Sequence, residues 1–199
     1  TIDLCLTDPP YGLKLSGRGS IGGGGRPFEK KDWDRARPDD EAFEEIRRVS
    51  RRQVIWGGNY FADQVPASRC WFVWYKRPNN KTDFADCELA WTSMNANARV
   101  LDHVWNGAYK HEPEDRYAHP TQKPLRLMRW CIDRAGMAKT LGPVRSIIDP
   151  YLGTGTTLVA AALEGIEAIG IEREEEYCEM AATRMRKLRE GTLPGLAPI

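Results

Sequence analysis

Short apolar runs alternate with amphipathic stretches along this 199-residue chain. Residues 2–7, Ile2-Asp3-Leu4-Cys5-Leu6-Thr7, read as a strand too apolar on both faces to lie at a sheet edge. Further strands are predicted at Gln53 to Gly57, Trp71 to Tyr75, Cys87 to Trp91, Ser146 to Ile148 and Ala168 to Ile171. Phe43, Ile46 and Val49 recur at helical spacing behind Asp39 or Asp40, either of which can cap a helix. Leu125, Leu127, Met128, Cys131 and Ile132 mark a second helix, from Pro124 to about Gly136, and two more are predicted over Leu158 to Glu164 and Glu174 to about Arg189. Residues 92–118 are polar and irregular, and Gly17 to Lys31, with four consecutive glycines, reads as a mobile loop. Strands alternating with helices predict an open α/β sheet, mostly parallel, with helices on both faces.

Composition narrows the class. A 41% hydrophobic content with mixed charge describes one soluble globular domain. No run reaches the roughly 18 apolar residues of a membrane span, and the start has no signal-peptide core. Cys5, Cys70, Cys87, Cys131 and Cys178 are scattered without a CxxC pair, which predicts buried thiols in a reducing cytoplasm. His103, His111 and His119 form no ligand cluster, so no metal is expected. A net charge of +1 means that any nucleic acid must be met by a local basic patch.

Two turns carry candidate chemistry. Asp8-Pro9-Pro10-Tyr11 closes the first strand, where two prolines stiffen the chain and remove two backbone donors. The Asp8 carboxylate and the Pro9 carbonyl can accept both hydrogens of a planar amine, and Tyr11 offers a ring to stack on; an ordinary strand-ending turn would use the same residue types. The second turn is Asp149-Pro150-Tyr151-Leu152-Gly153-Thr154-Gly155-Thr156-Thr157. Gly153 and Gly155 would let the backbone approach a ligand, and Thr156 or Thr157 would cap the helix that follows. Glu172, seventeen residues beyond Gly155, ends the next strand, where an acid can accept from ribose hydroxyls. The third glycine of a dinucleotide fingerprint is missing, which argues for a nucleoside cofactor without a pyrophosphate. His119-Pro120-Thr121-Gln122-Lys123-Pro124 precedes a helix, and Lys123 would place a cation where a cofactor carboxylate can dock.

Together these segments resemble the amino-group DNA methyltransferases of the β arrangement, in which the catalytic turn precedes the cofactor-binding half. The similar segments are TDPPYG at 7–12, WGGNYF at 56–61, WFVWYKRPN at 71–79, HPTQKP at 119–124, DPYLGTGTT at 149–157 and IGIERE at 169–174. Tyr151 and Thr154 stand where the family pattern usually has Phe and Ser. The resemblance implies a Rossmann-like methyltransferase domain over 1–199: a catalytic half at 1–91, an irregular insertion at 92–118, a cofactor-binding half at 119–190 and a tail. It implies S-adenosylmethionine as cofactor, held by Asp8, His119, Thr121, Lys123, Asp149, Tyr151, Gly153, Thr154, Gly155, Thr156, Thr157 and Glu172. Asp8, Pro9, Pro10 and Tyr11 would be catalytic.

The implied reaction is methylation of the exocyclic N6 amine of an adenine in DNA, flipped from a duplex or met in a single strand. Asp at the head of the turn is more usual for adenine in the family; cytosine N4, a non-catalytic cofactor- or DNA-binding subunit, and an RNA or protein-amide substrate are the other readings. Arg18, Arg26, Lys30 and Lys31 of the glycine loop, with Lys76, Arg77 and Asn79, are candidate DNA contacts. A homodimer, a restriction-modification role and a cytoplasmic location follow as expectations. The resemblance also implies a strand upstream of the catalytic turn that brings an acid near the cofactor adenine. Since the chain starts within the catalytic strand and has no initiator Met, its natural N-terminus is expected to extend further.

Overall fold

A computed structural model describes residues 1–13, 36–76, 85–106, 109–110, 122–138, 141–194 and 196. The strands are β1 (Leu4–Thr7), β2 (Gln53–Trp56), β3 (Trp71–Tyr75), β4 (Cys87–Thr92), β5 (Arg99–Asp102), β6 (Trp105–Asn106), β7 (Tyr109–Lys110), β8 (Ser146–Asp149) and β9 (Glu167–Gly170). The helices are α1 (Asp40–Val49), α2 (Leu125–Gly136), α3 (Thr156–Leu163) and α4 (Glu175–Arg189). Seven strands form one sheet in the order β5-β3-β4-β2-β1-β8-β9. Only β4 runs against its neighbours, and all other pairings in the sheet are parallel. The expected α/β architecture is therefore present.

Strand periodicity explains the layers. Successive side chains of β1 point to opposite faces. Leu4 and Leu6 join Trp56, Phe72, Leu127, Met128, Cys131, Val159 and Leu188 on one face, under α2, α3 and α4. Cys5 joins Ile55, Trp91, Phe61 and the α1 residues Phe43 and Ile46 on the other. Asp39 caps α1 by accepting from the Ala42 amide at 2.9 Å, which satisfies one of the orphan donors of the first turn.

The order of the strands sets the location of any ligand crevice. From β1 the chain crosses to β2 on one side, whereas from β8 it crosses to β9 on the other, and β1 and β8 are neighbours. Such a reversal opens a crevice at the carboxyl ends of the two strands. Both candidate turns leave the sheet there.

Three expectations are corrected. The segment 92–118 is not uniformly irregular: Arg99–Asp102 adds β5 beside β3, and β6 pairs with β7. Thr156 and Thr157 do not cap α3; its cap position is Gly155, at φ 84°, and both threonines lie inside the first turn. Among the thiols, Cys5, Cys70 and Cys131 are buried, but Cys87 is half-buried and Cys178 is exposed. Of the three tryptophans expected in the core from their strands, Trp56 and Trp74 are buried, with ring centroids 6.5 Å apart, whereas Trp71 is half-buried.

One buried cation had no sequence signal. Arg52, at the base of β2, is wholly buried and donates to the carbonyls of Ala135 at 2.7 Å, Leu141 at 2.9 Å and Gly142 at 2.9 Å. Its Ala135 contact lies in the last turn of α2, where a positive charge meets the negative end of the helix dipole, and its other two contacts fix the loop that follows. Among the described residues no helix is long and apolar enough to cross a membrane, and no group of three or more His, Cys, Asp or Glu could hold a metal ion.

Candidate active site

Asp8 follows directly on β1, and its carboxylate is gripped at both oxygens. Tyr11 Oη donates to Oδ1 at 2.5 Å, and Lys123 Nζ donates to Oδ2 at 2.5 Å. Lys123 comes from the short segment before α2, 115 residues away, and its ammonium is almost fully enclosed. The same ammonium lies 3.2 Å from Glu88 Oε2 and 3.3 Å from Tyr11 Oη. Glu88 Oε1 in turn holds Lys76, whose ammonium sits 4.8 Å from the Trp74 ring centroid. Two acids and two bases thus form one neutral tetrad beneath the Asp-Pro-Pro-Tyr turn.

The electrostatics follow from burial and pairing. Burial pushes the Asp8 carboxyl above its ordinary range, Lys123 pulls it down, and nearby Glu88 pushes it up again. For Lys123, burial opposes the charge, but attraction to Asp8 and Glu88 outweighs it and holds the ammonium well above its usual range. Burial also opposes ionisation of Glu88, yet Lys123 and Lys76 together keep it below its ordinary value. At neutral pH, Lys123 and Glu88 are accordingly charged.

The aromatic side of this turn is built by a glycine. Gly57, at φ 71°, closes β2, and a Cβ there would fall 2.1 Å from the Tyr11 ring. Only the bare backbone lets Tyr11 lie down, where it stacks on Tyr60 with centroids 4.8 Å apart and planes 20° apart. Phe61 meets its edge at 6.0 Å. The sequence offered the Tyr11 ring as a stacking face; the structure places it in a two-ring wall whose more exposed member is Tyr60.

Asp149 ends β8, next door. It is buried, and its donors are all neutral: Thr7 Oγ1 at 2.7 Å and the Tyr151 amide at 3.1 Å on Oδ1, and Thr157 Oγ1 at 2.6 Å on Oδ2. Burial is the main reason its carboxyl is pushed up to about 6; the three donors pull the other way, and the charge of Asp8 adds to the rise. Thr7 therefore ties the first strand of the chain to the second turn.

Past Asp149, the two glycines divide the work expected of both. A Cβ on Gly153, at φ 54°, would meet nothing within 4 Å, so its backbone borders open space. A Cβ on Gly155 would lie 2.8 Å from Ala181 Cβ and 3.1 Å from Ala181 Cα, so this glycine is required for the approach of α4. Arg184 of α4, also buried, donates to the Thr154 carbonyl at 2.8 Å and to Thr156 Oγ1 at 3.1 Å, and so clamps the turn from behind. Glu172 accepts from the amides of Gly153 at 2.8 Å, Arg173 at 2.9 Å and Glu174 at 2.9 Å. A carboxylate offers about four acceptor positions, so these three bonds leave one on the oxygen shared with Gly153. Thr154 Oγ1 reaches Gln122 at 3.4 Å, which joins the segment before α2 to the same turn.

The structure thus brings together Asp8, Tyr11 and Lys123 at one strand end, and Asp149, Tyr151, Gly153, Thr154, Thr156, Thr157 and Glu172 at the next. It departs from expectation at two lysines. Lys123 finds its carboxylates in Asp8 and Glu88 of the chain itself, and Lys76 is turned toward Glu88 rather than presented for a phosphate. His119, Thr121, Arg18, Arg26, Lys30, Lys31, Arg77 and Asn79 lie outside the described residues. Sequence reasoning missed Thr7, Gly57, Glu88 and Arg184. The available hint for Glu88 was a charge in an otherwise apolar predicted strand.

Comparison with known proteins agrees with this geometry. A family model of DNA methylases matches residues 72–183, more than half of the chain. The Type II methyltransferase M2.LlaDCHI of Lactococcus lactis subsp. cremoris is 26% identical, with 94% of this chain and 83% of that protein aligned. M2.DpnII of Streptococcus pneumoniae is 25% identical over 96% of this chain and 84% of its own. Among solved structures, the M1.HpyAVI–SAM complex superposes with a TM-score of 0.54 at 20% identity, over 92% of this chain and 89% of that one. The PvuII DNA methyltransferase, a cytosine-N4-specific enzyme, gives 0.54 at 15% identity, over 92% and 78%.

Proposed function

The chain belongs to the N6/N4 DNA methylase family, and we propose that it transfers the methyl group of S-adenosylmethionine to the exocyclic N6 amine of an adenine in DNA. The observation that carries this reading is the placement of the Asp8 turn and the Gly153 turn at the ends of two adjacent parallel strands. An acceptor for an amine and a cradle for a nucleoside are thereby side by side.

The second turn fits the cosubstrate. Open space at Gly153, the remaining acceptor position of Glu172 and the start of α3 suit a nucleoside with a charged amino-acid tail. When bound, S-adenosylmethionine supplies a methyl group already activated by a sulfonium. What remains for the chain is to position the amine and to place charge. An adenine amine is a poor nucleophile because its lone pair is delocalised into the ring. Asp8 and the Pro9 carbonyl accept its two hydrogens and favour pyramidal nitrogen, and the negative charge of Asp8 stabilises the positive charge that develops there. The base must leave the helical stack to reach them, and the Tyr11–Tyr60 wall receives its face.

Asp rather than Ser at the head of the turn favours adenine over cytosine in this reading. The test is direct: incubate the protein with DNA and isotopically labelled S-adenosylmethionine, hydrolyse, and identify the methylated nucleoside by mass spectrometry. N6-methyladenine is expected. N4-methylcytosine alone would overturn the choice of base, and no labelled nucleoside at all would overturn the reaction.

A further inference from the structure

Lys123 occupies a seat that the proposed substrate also needs. Its ammonium holds Asp8 Oδ2 at 2.5 Å while Tyr11 Oη holds Oδ1 at 2.5 Å, so both oxygens already face donors of this chain. Each oxygen keeps a second acceptor position, so an incoming amine would share the carboxylate with these donors rather than have it to itself. A cation paired to Asp8 also cancels the charge that would stabilise a developing positive nitrogen. The ammonium cannot simply withdraw into water, because the Lys123 side chain is 9% exposed. Leaving a buried cation without an anion is costly. The structure supplies another anion within reach: Glu88 Oε2, 3.2 Å away.

We propose that Asp8 and Glu88 are two seats for one cation, and that Glu88 is a positioning residue that draws Lys123 off Asp8 as the target amine arrives. This rests on the amine-methylation reading above. Glu88 Oε2 is buried and accepts no hydrogen bond in this arrangement, and an ammonium has three N–H donors, so Lys123 can form that bond as it gives up Asp8 without leaving the pocket. The tetrad of Asp8, Glu88, Lys76 and Lys123 is neutral as a whole, so the shift changes no net buried charge. Lys76, on the other oxygen of Glu88, keeps that carboxylate ionised and aimed at Lys123. In the closed arrangement the cation screens Asp8; in the open one Asp8 is free to act on the base.

Charge arithmetic supplies the test. Glu88→Gln leaves two cations against one anion, and Lys123 is then confined to Asp8. Glu88→Gln with Lys123→Gln leaves Asp8 against Lys76, neutral again and with the seat on Asp8 vacant. Single-turnover methyl transfer to DNA is measured for both, alongside calorimetric binding of S-adenosylhomocysteine and nitrogen-15 spectra of the lysine ammonium groups. Glu88→Gln is expected to slow transfer about 100-fold, the scale of losing an electrostatic partner at a reacting centre. Its affinity for S-adenosylhomocysteine should stay near wild type. The double variant should recover about tenfold over Glu88→Gln, a coupling typical of contacting charges. Glu88→Asp, which keeps the charge, should retain more activity than Glu88→Gln. In the wild type, DNA should move the Lys123 ammonium resonance, and in Glu88→Gln it should not.

A wild-type rate in Glu88→Gln, or a double variant slower than Glu88→Gln, would overturn the two-seat arrangement while leaving the reaction intact. An ammonium resonance indifferent to DNA in an active wild-type protein would do the same. A wild-type protein that transfers no methyl to DNA would instead overturn the reading beneath it.

Discussion

Asp8 and Asp149 end neighbouring parallel strands, and both are largely withdrawn from water, yet their partners are of opposite kinds. Asp8 is held by an ammonium and a phenol at the tips of long side chains, both within reach of other partners. Asp149 is held by two short hydroxyls and a backbone amide, each fixed to a strand, a helix or the turn itself. The first arrangement compensates charge with groups that can move. The second orients a carboxylate with groups that cannot move and leaves its charge uncompensated. One is suited to exchange partners during a reaction, and the other to hold a turn still.

Removing the exchangeable carboxylate should have the largest effect on activity. Asp8→Ala should lower the single-turnover rate by about 10²-fold or more, with cosubstrate affinity nearly unchanged by calorimetry. A lost affinity would move Asp8 from the reacting amine to the cosubstrate and erase the contrast.

For Asp149 the effect should appear in stability and its pH dependence. Its carboxyl is raised from 3.8 to about 6 in the folded chain. Below pH 4 the group is neutral in folded and unfolded chains alike. As pH rises toward 6 the unfolded chain ionises first, so stability falls, and the loss is complete above the folded value. At about 1.4 kcal/mol per tenfold, that is about 3 kcal/mol. Asp149→Asn keeps an acceptor for Thr7 and the Tyr151 amide, so it should match wild type near pH 4. At pH 7.5 it should melt roughly 6–12 °C higher. A constant difference across pH, read by calorimetry, would mean that the charge of Asp149 is compensated after all.

Two glycines sharpen the contrast at smaller scale. Gly155→Ala sets a methyl against Ala181 in a packed helix, at a φ that alanine resists, and should cost about 2 kcal/mol in denaturant unfolding. Gly57→Ala sets its methyl against the Tyr11 ring, which can swing away. It should cost about 1 kcal/mol of stability, with its main effect on turnover. If the two substitutions ranked the other way in stability, the Asp8 turn would be the stiffer of the two.

The pattern of the sequence revealed most of the sheet because its central strands are apolar on both faces, as Leu4-Cys5-Leu6 and Val54-Ile55-Trp56 are. It concealed β5, where Leu101 alone is buried among four residues and no alternation survives. The two turns were legible because prolines, glycines and an acid cluster within a few positions. Glu88, Thr7 and Arg184 were not, since each acts on a partner 28 or more residues away, across the fold. The roles of Gly155 and of the two threonines after it were misread for a related reason. A glycine opened toward a ligand and one pressed against a helix leave the same mark in a sequence.

The bond between Thr7 and Asp149 has a consequence for how the protein comes into being. Its ends are 142 residues apart, and the strand that carries Thr7 lies inside the sheet, between β2 and β8. On a ribosome adding about 5–20 residues per second, β1 waits some 7–28 seconds for β8 to be made. During that interval a strand buried along its whole length in the finished sheet has at most one of its two neighbours to pair with. Anything that halts translation before β8 therefore yields a chain with the Asp8 turn, without the Gly153 turn, and with an open interior strand edge ready to recruit another chain.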